Sequence, residues 1–244
     1  MTAGATLVVL AVISMCLGGL GSRWGWWYFT TGFAILKWAA YAAIAAALLT
    51  VLAALFVRGA HKGRSLAIAA LAVIVALGIV SVPWNMLRSA RALPPIHDIT
   101  TDTNNPPAFV VLHDRRPGAL NPVEYGGPEV AAKQHAGYPD IVPAVLPGVS
   151  PAQALARAVA VAKQLGWSVV AVDTAAGRME SSDRTRWFGF TDDQVVRVTP
   201  APNGSRVDIR SLSRVGGSDV GTNARRIRAF LTALRNASAP AGGS

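Results

Sequence analysis

The chain has 244 residues, of which 52% are hydrophobic and only 15% charged, with a formal net charge of +10. Residues 1–97 hold seven basic residues and no acidic one, whereas residues 98–244 hold 16 basic against 13 acidic ones. The positive surplus therefore lies largely in turns between apolar runs, where basic residues mark membrane orientation, and it argues against nucleic acid as a partner. Cys16 is the only cysteine, which excludes an intrachain disulfide and a cysteine-based zinc site.

Three apolar runs open the chain, at about residues 5–21, 36–57 and 66–86. Each is near the roughly 20 residues that cross about 30 Å of hydrocarbon. Lys37 is the one charge inside them, at the end of its run, where its stem lies in lipid and its amine reaches the headgroups. Trp24, Trp26, Trp27 and Tyr28 precede the second run and Trp84 closes the third, as expected of rings at the membrane interface. The loop "RGAHKGR", residues 58–64, carries three basic residues and no acid, so it is expected on the cytoplasmic side. The second half of the chain then faces away from the cytoplasm, as a plasma (inner) membrane protein with several spans would present it. The first run has a cleaved signal peptide as its alternative, without effect on that facing.

Prolines at 94, 95, 106 and 107 block a continuous helix, and residues 91–149 read as an extended arm rich in Pro and Gly. An α+β domain is expected over residues 150–236. Ser150 caps a first helix, Pro151 suits its first position and Gly166 its end, with Leu155, Ala158, Val159, Ala162 and Leu165 on one face. "WSVVAVD", "RMESSDRTRWFGF" (one long or two short strands), "QVVRVT" and "SRVDIRSLS" follow as strands. Turns as short as "TAAG", "TDD" and "PAPNG" require antiparallel neighbours. A second helix, about residues 218–235, carries the stripe Ala224, Ile227, Leu231 and Leu234. The fold class is thus three spans followed by four or five antiparallel strands with two packed helices. Residues 237–244 read as a disordered tail.

The blocks "IHDITTDTNNPPAF", "GRMESSDRTRWFGFTDDQVVRV" and "VDIRSLSRVGGSDVGTNARRIRAFL", in that order, resemble the family catalogued as domain of unknown function 1499, over roughly residues 93–234. The resemblance implies a membrane-attached or exported bacterial domain with plastid relatives. It implies no reaction and supplies no catalytic residue.

The sharpest candidate site is the loop "SRVGGSDVGTNARR". Glycines allow close approach, amides at a helix start attract anions, and Arg214, Ser218, Arg225 and Arg226 supply charge and a hydroxyl. Ser213, Gly216, Gly217, Asp219 and Asn223 complete it. A competing structural reading has Ser218 or Asp219 capping the helix, with Gly216 and Gly217 serving backbone angles closed to other residues. His97, Asp98 and Asp102 form a second candidate, near a serine or a metal. Trp187, Phe188 and Phe190 beside Asp192 and Asp193 form a third, in which the aspartates make a turn and the rings meet core, lipid or a partner. No HExxH, GxSxG or paired metal-ligand spacing is present, so neither metal nor cofactor is expected.

The expected role is non-enzymatic: a domain outside the cytoplasm that binds an anionic lipid, a cell-wall group or an integral-membrane partner. One alternative is an envelope hydrolase using a serine with His97 or Asp98. The other is an assembly subunit of a membrane complex acting through its spans, with Lys37 and the alanine-rich face of residues 39–47 as contacts.

Overall fold

The computed structural model describes residues 2–238, so residues 239–244 of the expected tail lie outside the described part. Residues 237 and 238 close the last helix instead. Contacts divide the chain into two units: Met1–Ser89 with Thr185–Gly189, and Ala90–Arg184 with Phe190–Ser244.

The first unit is built on α1 (Thr2–Arg23), α2 (Phe29–Phe56) and α3 (Lys62–Ala92), the last running on past the unit's limit. All three are long and apolar enough to cross a membrane. They exceed the apolar runs because a helix continues wherever the backbone bonds can. α2 takes in the polar Thr30 and Thr31, and α3 runs through Pro83. Small residues let α1 and α2 approach closely, since lipid offers no hydrophobic drive and packing must hold the helices together. A Cβ at Gly32 would strike the Gly18 carbonyl oxygen, and one at Gly4 would strike Thr50 Oγ1. Val8, Ala46 and Ala72 join all three helices in a small buried cluster.

In the same unit, Trp187 Nε1 donates to the Cys16 carbonyl at 3.1 Å and the Phe188 ring lies 4.8 Å from that of Phe33. The chain turns at residues 185–189, where Gly189 has φ +73°, instead of continuing as strand through "RTRWFGF".

The second unit is a six-stranded antiparallel sheet in the order β1-β6-β5-β4-β3, with β2 also pairing β6. The strands are β1 (Asp98–Thr100), β2 (Ala144–Pro147), β3 (Ser168–Asp173), β4 (Arg178–Arg184), β5 (Thr191–Ala201) and β6 (Gly204–Ser213). Two helices cover one face: α6 (Pro151–Gln164), which opens on a full capping box from Ser150 and Gln153, and α7 (Thr222–Ser238). Between them and the sheet lies the main core, including Leu155, Met179, Val196, Ile209, Ile227 and Leu234, with Trp167 stacked on Phe230 at 5.4 Å.

The segment expected as an extended arm is more structured. It supplies β1, β2, a single turn α4 (Val111–Asp114) and α5 (Gly127–Gly137). α5 escapes a periodicity reading because Gln134 is its only buried residue. That side chain ties it to the sheet: Gln134 Oε1 accepts from Thr100 N at 3.0 Å and Nε2 donates to Thr100 O at 2.7 Å. An amide thus stands where a neighbouring strand would pair with β1. The expected turn at Asp192 and Asp193 is likewise corrected. Both lie within β5, opposite Ser213 and Leu212, because arginines satisfy their buried carboxylates.

Candidate functional site

β6 alternates its side chains between the two faces of the sheet, and the candidate loop that follows it inherits that division. Ser211 and Ser213 face α7, whereas Arg210 and Leu212 face the segment that crosses the opposite side.

On the helix face the loop is closed. Asn223 is fully buried and all its amide valences are used: Oδ1 accepts from Ser211 Oγ at 2.7 Å and from Arg226 Nη1 at 2.8 Å, while Nδ2 donates to His97 O and to Ser213 Oγ, each at 2.9 Å. Arg226 also reaches Asp183 at 2.7 Å and Asp192 at 3.0 Å. Asp219 accepts from the amides of Gly221 and Asn223, so its own carboxylate occupies the start of α7. Ser218 Oγ accepts from Val220 N, and Val220 holds φ +50°, a strained angle for a β-branched residue. Two carboxylates, Asp183 and Asp192, thus share one guanidinium here. Burial pushes the Asp192 and Asp219 carboxyls above the usual range, against the Arg226 guanidinium in the first case and two backbone amides in the second.

On the opposite face the balance reverses. Asp193 is fully buried and accepts from Arg214 Nη2 at 2.8 Å, Arg116 Nε at 2.9 Å and Ser182 Oγ at 2.6 Å. Two guanidiniums thus share one carboxylate. Asn121 ties this cluster to the loop: its carbonyl accepts from Arg116 Nη1, and its Nδ2 donates to Ser213 O and Gly216 O. Between the two halves, the amides of residues 215–218 have no hydrogen-bond partner among the described residues. Gly217 is exposed, and nothing lies within 4 Å of where its Cβ would stand. Arg225 is exposed as well, its guanidinium donating to Val220 O and Thr222 Oγ1.

The "IHDITTD" residues separate. His97 offers its carbonyl to Ser213 N and Asn223 Nδ2. Asp98 receives both arms of the Arg210 guanidinium, at 2.9 and 2.7 Å, beneath the rings of Phe109 and Tyr125. Burial raises the Asp98 carboxyl against that pairing and raises the Tyr125 phenol to about 12. Asp102 joins Arg197, Arg206 and Asp208 in a separate network. Among the described residues, no group of three His, Cys, Asp or Glu side chains is placed to hold a metal.

The profile of the family described as "Protein of unknown function (DUF1499)" matches residues 98–234, more than half of the chain. The chain belongs to the DUF1499 family. No curated protein matches it. The DUF1499 region begins at β1 and ends inside α7, so the whole sheet and both sides of the loop fall within it.

Sequence reading missed Arg116, Asn121, Asp183 and Glu180. Glu180 is fully buried and accepts from the amides of Val110, Val111 and Leu112, which fixes the segment that carries Arg116. Strand alternation places Glu180 and Ser182 on the face of Asp193. No local pattern links residue 116 to them.

Proposed function

We propose that this DUF1499 protein spans the plasma membrane three times and presents its α+β domain outside the cytoplasm as a binding module for an anionic envelope component. The observation that carries the reading is the half-open loop. Asp219, Asn223 and Arg226 are consumed by the cap and their own pairs, while residues 215–218 keep four consecutive amides without a partner among the described residues. Backbone donors left unpaired at a glycine-rich turn are suited to a ligand's oxygens.

The hydrolase alternative has less support. Ser213 hydrogen-bonds Asp192 and accepts from Asn223, and both oxygens of Asp98 are held by Arg210, so neither side chain is poised as nucleophile or base.

The facing is tested by fusing to the C-terminus either a phosphatase active only outside the cytoplasm or a protein fluorescent only inside it. An active phosphatase and a dark fluorescent fusion are expected, and the reverse pair defeats the proposal. Binding is tested with the full chain in nanodiscs, comparing phosphatidylglycerol with phosphatidylcholine bilayers by exchange of the 215–218 amides. Slower exchange with the anionic lipid is expected.

A further inference from the structure

Arg116 Nη2 is the one nitrogen of that guanidinium without a partner: Nε serves Asp193 and Nη1 serves Asn121 O, yet the side chain is only 5% exposed. Arg214, 12% exposed, spends Nε and Nη2 on Asp193, and its Nη1 makes only a long 3.4 Å contact to Pro117 O. Arg210 pairs with Asp98, and Arg178 is shared between Glu180 and Asp173. Within the Arg116–Asp193–Arg214 cluster two guanidiniums share one carboxylate in a largely water-excluded place, and such a surplus of charge is costly unless something answers it.

We propose that the Arg116–Asp193–Arg214 cluster is the charged wall of a site for a singly charged oxyanion, a carboxylate or a phosphodiester. Arg116 Nη2 is its unpaired donor, and the 215–218 amides line its other side. The inference rests on the half-open loop reading and narrows it by charge and geometry. A monoanion cancels the single surplus, whereas a dianion leaves a buried negative charge. A guanidinium with free N–H groups favours ligands that offer oxygens in a plane or fork. Arg116 Nη2 is closed to solvent, so the exposed segment at Pro117, held to Arg214 by the 3.4 Å contact, must give way for a ligand oxygen to reach it. Asn121 then acts as the coupling between the two walls, since it touches Arg116 through its carbonyl and the loop through its side-chain amide.

The full chain in neutral detergent is titrated calorimetrically with dimethyl phosphate, acetate and sulfate. It is then reconstituted into phosphatidylglycerol and phosphatidylcholine nanodiscs, where exchange of the 215–218 amides is followed. Saturable binding of dimethyl phosphate or acetate, tighter than sulfate, is expected. Added phosphatidylglycerol slows loop exchange if the oxyanion belongs to a lipid headgroup, and only the soluble monoanions do so if it is a free solute. Arg116→Lys keeps the charge but removes the unpaired fork nitrogen, and it weakens binding about tenfold or more, the loss expected of one charge-assisted hydrogen bond. Arg116→Gln weakens it further, with melting measured alongside to exclude a folding defect. Binding that survives Arg116→Lys unchanged but is lost in Gly217→Pro overturns the Arg116 assignment and leaves the loop reading intact. Equal or tighter sulfate binding overturns the charge count. The absence of saturable binding by any of these probes overturns both.

Discussion

Asp219 offers the most direct test of how the loop is held. Its two oxygens accept from Gly221 and Asn223, and both amides belong to buried residues. Truncation in Asp219→Ala leaves both without a partner, at roughly 1–3 kcal/mol each. Part of that is recovered because a desolvated carboxyl is also removed, which sets the net loss at about 2–4 kcal/mol. For a folded unit of this size that lowers the melting midpoint by roughly 5–12 °C. Asp219→Asn keeps one acceptor oxygen and loses about half as much. The assay is thermal unfolding of the full chain in neutral detergent by circular dichroism, with hydrogen exchange of the 221–226 amides as the local readout. The pH dependence gives a second arm. Burial raises the native Asp219 pKa, so across the window above the ordinary aspartate value the native state holds a proton that the unfolded chain has released. Stability therefore falls as pH rises through that window, and Asp219→Asn has a shallower slope there. A parent-like midpoint in Asp219→Ala, or equal damage from Asn and Ala, refutes the reasoning that this carboxylate caps α7.

Two further outcomes follow from the geometry. Gly32→Ala places a Cβ against the Gly18 carbonyl oxygen and lowers the thermal midpoint of the detergent-solubilised chain. Gly78→Ala, whose Cβ meets nothing within 4 Å, leaves it unchanged or higher, because Ala is the better helix former by ~1 kcal/mol. In an ultraviolet titration, Tyr125 ionises only near pH 12, because burial and the Asp98 carboxylate disfavour its phenolate. The unfolded phenol releases its proton near pH ~10, so stability falls as pH rises from there toward about 12, and Tyr125→Phe removes that loss.

Reading from sequence worked best where a signal repeats. The three apolar helices, the capped α6 and the stripe of α7 announce themselves by uninterrupted hydropathy or a period near 3.6. Three ordered blocks were enough to place the chain in DUF1499. Short elements with few buried side chains stayed hidden. α5 buries only Gln134 fully, and β2 is four residues that pair with β6 and send Ala144 and Leu146 into the core. Asp192 and Asp193 resembled a turn because the sequence does not show which arginine lies opposite a buried carboxylate.

The candidate loop shows the same limit at finer grain. Its glycines, arginines and helix start are visible as letters, and both a cradle and a cap are consistent with them. Only the tertiary fold assigned Arg226 to Asp183 and Asp192, Arg214 to Asp193, and the helix start to Asp219. Only the fold, too, brought Arg116 alongside Asp193, 77 residues away, and left one of its nitrogens unpaired. Hydropathy and periodicity are sums over neighbouring residues and survive in one dimension. The pairing of a buried charge depends on which distant side chain shares its low-dielectric surroundings, and that is decided when the sheet assembles.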